Sequence, residues 1–177
     1  MALTTFQGPV RSLAGFISQG PATVVNLANA TNTVTLDVAT FAGKTIRTND
    51  ATLVITLPTI NATPNPVTSG PGQDPSTLNN VGTSYTFVIE TAATAVAIKT
   101  DGTDKFIGSL TMVDTDSAGA VTAFAPGATN DVINLNGTTT GGIVGSTITV
   151  TVIAALKYMV TGVVLASGTV VTPFADA

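Results

Sequence analysis

The chain has no histidine, no cysteine and no tryptophan, and Glu90 is its one glutamate. Without His or Cys, neither a Ser/His/Asp nor a Cys/His nucleophile can be assembled. The lack of Cys also removes disulfides and thiolate metal sites. Only 9% of the residues are charged, where an ordinary soluble domain has about 25%. Six Lys and Arg stand against ten Asp and Glu, for a net charge of −4. With no basic stripe to neutralise phosphates, no nucleic-acid partner is expected. There is no phosphate-binding Gly-x-x-x-x-Gly-Lys loop and no Gly-x-Ser-x-Gly elbow. Glycosidases need a carboxylate pair, but the acids here are nearly all Asp in turn-like settings, and Glu90 falls at the end of a strand pattern. The chain is therefore expected to be neither an enzyme nor a cofactor protein.

A long uninterrupted apolar run is missing as well. The most apolar stretch, Ile143 to Ala166, is broken by Ser146, Thr147, Thr149, Thr151, Lys157 and Thr161. A spanning helix needs about 20 mostly apolar residues, so no membrane partner is expected. The first 20 residues carry one charge, Arg11, and no continuous apolar core, so they do not read as a secretory signal.

What the chain has instead is threonine, at 34 of its 177 residues. Thr is β-branched and suits the half-buried, pleated surface of a sheet. Period-two alternation recurs along the chain. It places Val34, Leu36 and Val38 on one face, then Leu53, Ile55 and Leu57, then Tyr85, Phe87 and Ile89. Phe106, Leu110 and Met112 follow, then Ile133 with Leu135, and Ile148, Val150 and Val152. Further strands are expected over Tyr158–Ala166 and Thr169–Thr172. The best helix candidate, Ser12–Ser18, is short.

Turn signals separate these runs, among them Asn49-Asp50, Asp101-Gly102, Ser117-Ala-Gly119, Pro126-Gly127, Asn136-Gly137, Gly141-Gly142 and Ser167-Gly168. Their spacing of about 8 to 12 residues predicts an all-β domain, an antiparallel β-sandwich or a barrel-like one. Residues 1–20 read as an extended N-terminal arm ahead of a single β domain over 21–177. A long Pro/Gly-rich loop at 58–83 carries Pro64, Pro66, Pro71 and Pro75. Loops of this length are usually functional or disordered, and these prolines are expected to touch a partner.

Two acidic pairs, Asp101 with Asp104 and Asp114 with Asp116, have oxygens of the type calcium accepts. Neither matches the twelve-residue calcium loop, and Asp and Gly are ordinary turn residues, so no metal is expected. Asn29-Ala-Thr31, Asn61-Ala-Thr63 and Asn136-Gly-Thr138 fit the glycosylation pattern, but so much Thr produces such matches by chance.

Charge scarcity also describes the surface. A folded chain of this mass exposes roughly 8,000 Å², so its charges are spread at about one per 500 Å². Burying an unpaired charge is costly, and a surface with few of them is easier to pack against neighbours. Assembly into a larger structure is the expectation.

Several stretches carry a resemblance. They are Thr5-Phe-Gln-Gly-Pro-Val-Arg-Ser-Leu-Ala-Gly-Phe16, Tyr85-Thr-Phe-Val-Ile89 with Ile98-Lys-Thr-Asp-Gly-Thr-Asp-Lys-Phe106, and Asn134-Leu-Asn-Gly-Thr-Thr-Thr-Gly-Gly142. Val160-Thr-Gly162, Ser167-Gly-Thr169 and Thr172-Pro-Phe174 extend it towards the C-terminus. Together they resemble small virion proteins of tailed bacteriophages, especially marine and cyanobacterial ones. The resemblance implies a head decoration, or cement, protein: a homotrimer that bridges subunits of the major capsid protein and reinforces the shell. It gives the arm a role, with Phe6, Val10, Leu13, Phe16 and Ile17 as apolar anchors and Arg11 as the one charge. The alternative is a tail fibre or receptor-binding β module, for which Thr- and Gly-rich β domains also serve. No aromatic cluster supports sugar binding. A bacterial surface-layer or adhesin fragment is a third reading, which the lack of a signal-like segment disfavours.

Overall fold

The computed structural model describes residues 24–27, 32–63, 79–116 and 120–177. Within them lie thirteen strands and one short helix. The strands form two sheets packed together, with no closed barrel, which is the sandwich arrangement.

The large sheet contains β1 (Val24–Leu27), β3 (Thr45–Thr48), β5 (Ser84–Ile89), β7 (Lys105–Gly108), β8 (Leu110–Asp114), β9 (Val121–Phe124), β11 (Thr147–Ala154) and β12 (Lys157–Ala166). Its order is β1-β3-β5-β11-β12-β8-β9, with β7 also alongside β12. The small sheet contains β2 (Thr33–Thr35), β4 (Val54–Thr56), β6 (Val96–Lys99), β10 (Val132–Leu135) and β13 (Phe174–Ala175), in the order β13-β10-β6-β4-β2.

Both sheets are mixed rather than purely antiparallel. From β1 to β6 each strand joins the sheet opposite to the one before it. Successive strands of one sheet are thus joined by a crossover through the other, and they run the same way. β1, β3 and β5 are parallel neighbours, as are β2, β4 and β6. Antiparallel pairing enters where hairpins form, as at β8/β9 and β11/β12. Tight turns can join antiparallel strands, whereas parallel ones need a crossover.

The alternation predicted from sequence sets the core. Tyr85, Phe87, Ile89, Ile148, Val150 and Val152 from the large sheet face Ile55, Val96, Ile98, Ile133 and Leu135 from the small one, all buried. Phe106 completes the packing, with its ring centroid 6.3 Å from that of Tyr158 and 6.5 Å from that of Phe174.

Two sequence-based strands differ in the structure. The run Thr33–Val38 is strand only to Thr35; Val38 opens the helix α1 (Val38–Phe41). Asp37 causes the switch, because its carboxylate accepts the Thr40 amide at 2.7 Å as an N-cap. Thr169–Thr172 is not a strand; the pairing in that region is the two-residue β13 just beyond Pro173. The Ser12–Ser18 helix lies outside the described residues.

β7 and β8 line the same side of β12 and are interrupted at Ser109. The break depends on Gly108, at φ +101°, where a Cβ would stand 2.3 Å from the Val160 carbonyl oxygen.

The base of the 58–83 loop is pinned to the body. The Tyr158 hydroxyl donates to the Pro58 carbonyl. The Ile60 amide donates to Asp104 Oδ2 at 2.9 Å. Buried Asn80 ties the two sides of the loop together, accepting from the Asn61 amide and donating to the Thr59 carbonyl, both at 2.9 Å.

Candidate interaction face

The outward face of the large sheet is where the threonines gather. Register fixes which residues stand side by side. One row runs Val88, Thr147, Val163, Thr111 across β5, β11, β12 and β8. The next runs Thr86, Thr149, Thr161, and the third Ser84, Thr151, Met159. None of these ten residues is charged. Within the second row the Thr86 and Thr149 hydroxyls bond to each other at 3.1 Å. Val163 and Met159 are large apolar side chains left 45% and 38% exposed.

The local reason is periodicity. In Thr147-Ile-Thr-Val-Thr-Val152 the apolar residues point into the core, so every Thr points out. A hydroxyl there can meet water, while the methyl keeps the surface partly apolar. The charge nearest the first row is Arg47, in register with Val88 and paired with Glu90 at the end of β5. Both partners of that pair are well exposed, so it adds little stability.

The acidic pairs singled out in the sequence act as turn chemistry. Asp101 Oδ1 accepts the amides of Thr103 and Asp104 at 2.9 and 3.1 Å. Burial pushes the Asp101 carboxyl up, but these hydrogen bonds outweigh it and hold its pKa below the ordinary value. Asp114 Oδ1 accepts the Asp116 amide at 3.2 Å, and Asp116 Oδ2 accepts the Gly168 amide at 2.9 Å. The Asp116 pKa is lowered, first by its hydrogen bond with Asp114 and then by the Gly168 amide. Asn136 Oδ1 accepts the amides of Thr138 and Thr140 at 2.9 and 3.0 Å, again a turn role. Among the described residues no three potential metal-ligating side chains come together. Among them, too, no helix is long and apolar enough to cross a membrane.

Asp104 behaves differently. It is buried, and its Oδ1 has no hydrogen-bond partner. Burial raises its pKa, and the Asp101 charge adds to this; the Ile60 amide and Lys105 act the other way. A raised folded-state pKa means that stability from this group is fully present below the unfolded value and is lost as pH rises through the folded one. Asp104→Asn keeps the acceptor for Ile60 and removes the charge. It is expected to raise the thermal midpoint near pH 7 by about 2–4 °C. The gain should vanish near pH 3, below the ordinary aspartate value. Thermal melts of parent and variant across that range check it; a gain that persists at low pH would show that the charge is not its cause.

The partner-contact residues expected on the arm, Phe6, Val10, Arg11, Leu13, Phe16 and Ile17, lie outside the described residues. So do the loop prolines Pro64, Pro66, Pro71 and Pro75. The outward face was not singled out from sequence. Its signal was there in the Thr-x-Thr-x-Thr spacing of β11, but joining four strands into one surface needs their register. Comparison of the chain with protein-family models, with curated proteins and with solved structures finds no match in any of the three.

Proposed function

We propose that this chain is a virion structural protein that decorates a phage capsid and stabilises it by bridging subunits of the major capsid protein, acting as a homotrimer. The observation that carries the reading is the block of ten uncharged residues on the outward face of the large sheet, bounded by Arg47 on β3 and Lys157 on β12. Docking such a face desolvates hydroxyls and methyls but no ions, and buried unpaired ions are the costly element of an interface. The sequence resemblance to small tailed-phage virion proteins points to the capsid as the surface it meets.

The size of the face assigns a share to the arm. Strand spacing and rise give the three rows a plane of roughly 20 by 20 Å. That is about half of the ~800 Å² that each side of a standard interface buries. In this reading residues 1–20 supply the remainder, with Phe6, Leu13 and Phe16 as apolar anchors.

Deletion of residues 1–18 tests the arm. The truncated chain is expected to keep its β-sheet circular-dichroism signal and thermal midpoint but to lose capsid binding in co-sedimentation. If it still saturates capsids, the arm has no part in docking. Copy number in purified particles tests the reading as a whole. Hundreds of copies on the head agree with decoration. A handful at the tail would replace it with the fibre reading.

A further inference from the structure

A cleft of about 480 Å³ opens where β7 meets the β11–β12 turn. That volume is in the range of small-ligand sites, about 300–1,000 Å³. Ile107 of β7, Leu156 of the turn and Pro126 beyond β9 give it apolar walls, and Lys105 and Lys157 complete its chemistry.

The two lysines are unequal. β7 and β12 are parallel neighbours with Lys105 opposite Lys157, which sets two ammonium groups on the same side of adjacent strands. Like charges so placed repel. Lys105 is compensated: its Nζ donates to Asp131 Oδ2 at 2.6 Å and to the Gly102 carbonyl at 2.7 Å. Burial raises the Asp131 pKa, but the bonds from Lys105 and from the Ala177 amide outweigh it and hold the carboxyl ionised. Lys157 has no ion pair among the described residues. No residue lining the cleft is acidic.

Leu156 adds an independent observation. Its backbone is left-handed, at φ +61°, and its side chain is 53% exposed. A bulky residue is uncommon in that conformation, which glycine adopts freely. Neither the strained backbone nor the exposed apolar side chain favours the isolated fold, and strain of this kind gathers at ligand sites.

We propose that this cleft binds an apolar carboxylate, with an aromatic or aliphatic body against Ile107, Leu156 and Pro126 and its carboxylate at Lys157. The ligand supplies the counter-charge that Lys157 lacks and covers the apolar surface that Leu156 exposes. The same chemistry is available from a free small acid and from the C-terminal residue of a peptide. The site does not depend on the decoration role, and its test uses the full-length chain alone.

The test is a titration followed by amide chemical shifts. One arm uses 3-phenylpropanoate and the other acetyl-Gly-Phe with a free carboxylate; 3-phenylpropylamine is the charge control. Saturable shifts at Gly108, Leu156 and Lys157 are expected with the carboxylates and not with the amine. Tighter binding of the peptide would assign the source to a chain terminus, and tighter binding of the small acid to a free ligand. Lys157→Gln is expected to weaken either carboxylate roughly tenfold, the loss of one charge-assisted contact. Leu156→Gly should raise the thermal midpoint by relieving the backbone and still weaken binding. The proposal is overturned if neither carboxylate binds, if the amine binds as well as they do, or if Lys157→Gln leaves the titration unchanged.

Discussion

Phe87→Ala is expected to destabilise the fold by about 3–5 kcal/mol, the usual cost of emptying an aromatic site in a packed core. At this chain length that corresponds to a fall of roughly 10 °C in thermal midpoint. Phe87 is fully buried on β5, in register with Ile46 on one side and Ile148 on the other. It therefore joins the parallel half of the large sheet to its antiparallel half. Backbone hydrogen bonds hold its neighbours on both strands, so the surroundings have little room to collapse into the space. Denaturant titration checks the figure, and a loss below ~1 kcal/mol would mean that the two halves do not share one core.

The second large effect concerns binding. Under the proposed decoration role, Thr161→Glu is expected to reduce capsid binding about 100-fold or more, since a carboxylate desolvated without a partner costs several kcal/mol. Thr161 is exposed on β12 opposite Thr149, in the middle row of the uncharged face. Surface substitutions of this kind usually change stability by no more than about 0.5 kcal/mol, so the loss should come without a change in thermal midpoint. Thr161→Val serves as the partner variant: it keeps the shape, adds no charge and should bind as the parent does. Co-sedimentation with capsids lacking the protein distinguishes these outcomes. If Thr161→Glu decorates capsids normally, docking does not use this face.

Both variants draw on the same alternation. One residue in two along β5, β11 and β12 points into the core and the next points out, a consequence of strand geometry. Tyr85, Phe87 and Ile89 were legible as a core face for this reason, as were Ile148, Val150 and Val152. The turn positions were legible because Asp, Asn and Gly have local backbone reasons to be there: Gly102, Gly137 and Gly168 all have positive φ. The strand expected over Thr33–Val38 stops at Thr35, short of Asp37, where a side-chain cap competes with strand pairing. The strand expected at Thr169–Thr172 failed because alternation is necessary for a strand but does not supply a neighbour to pair with.

The candidate sites divide in the same way. Lys157 and Lys105 are 52 positions apart in sequence and become neighbours only through the parallel pairing of β7 with β12. Asp104 looked like a surface turn residue beside Asp101. It is buried because the Pro58–Ile60 segment folds over it, a contact 44 residues away in the chain.

From the sequence alone came what depends on neighbouring residues: an all-β chain, its inward-facing side chains, its turns, and the lack of the groups most nucleophilic and metal chemistry requires. Tertiary structure alone decided which sheet each strand joins and in which direction it runs. From β1 to β6 the chain crosses between sheets at every step, so strands next to each other in a sheet are two apart in sequence and lie parallel. A period of two records which face of a strand is buried. It carries nothing about which strand lies beside it, because strand pairing is made by backbone groups that every non-proline residue has in common.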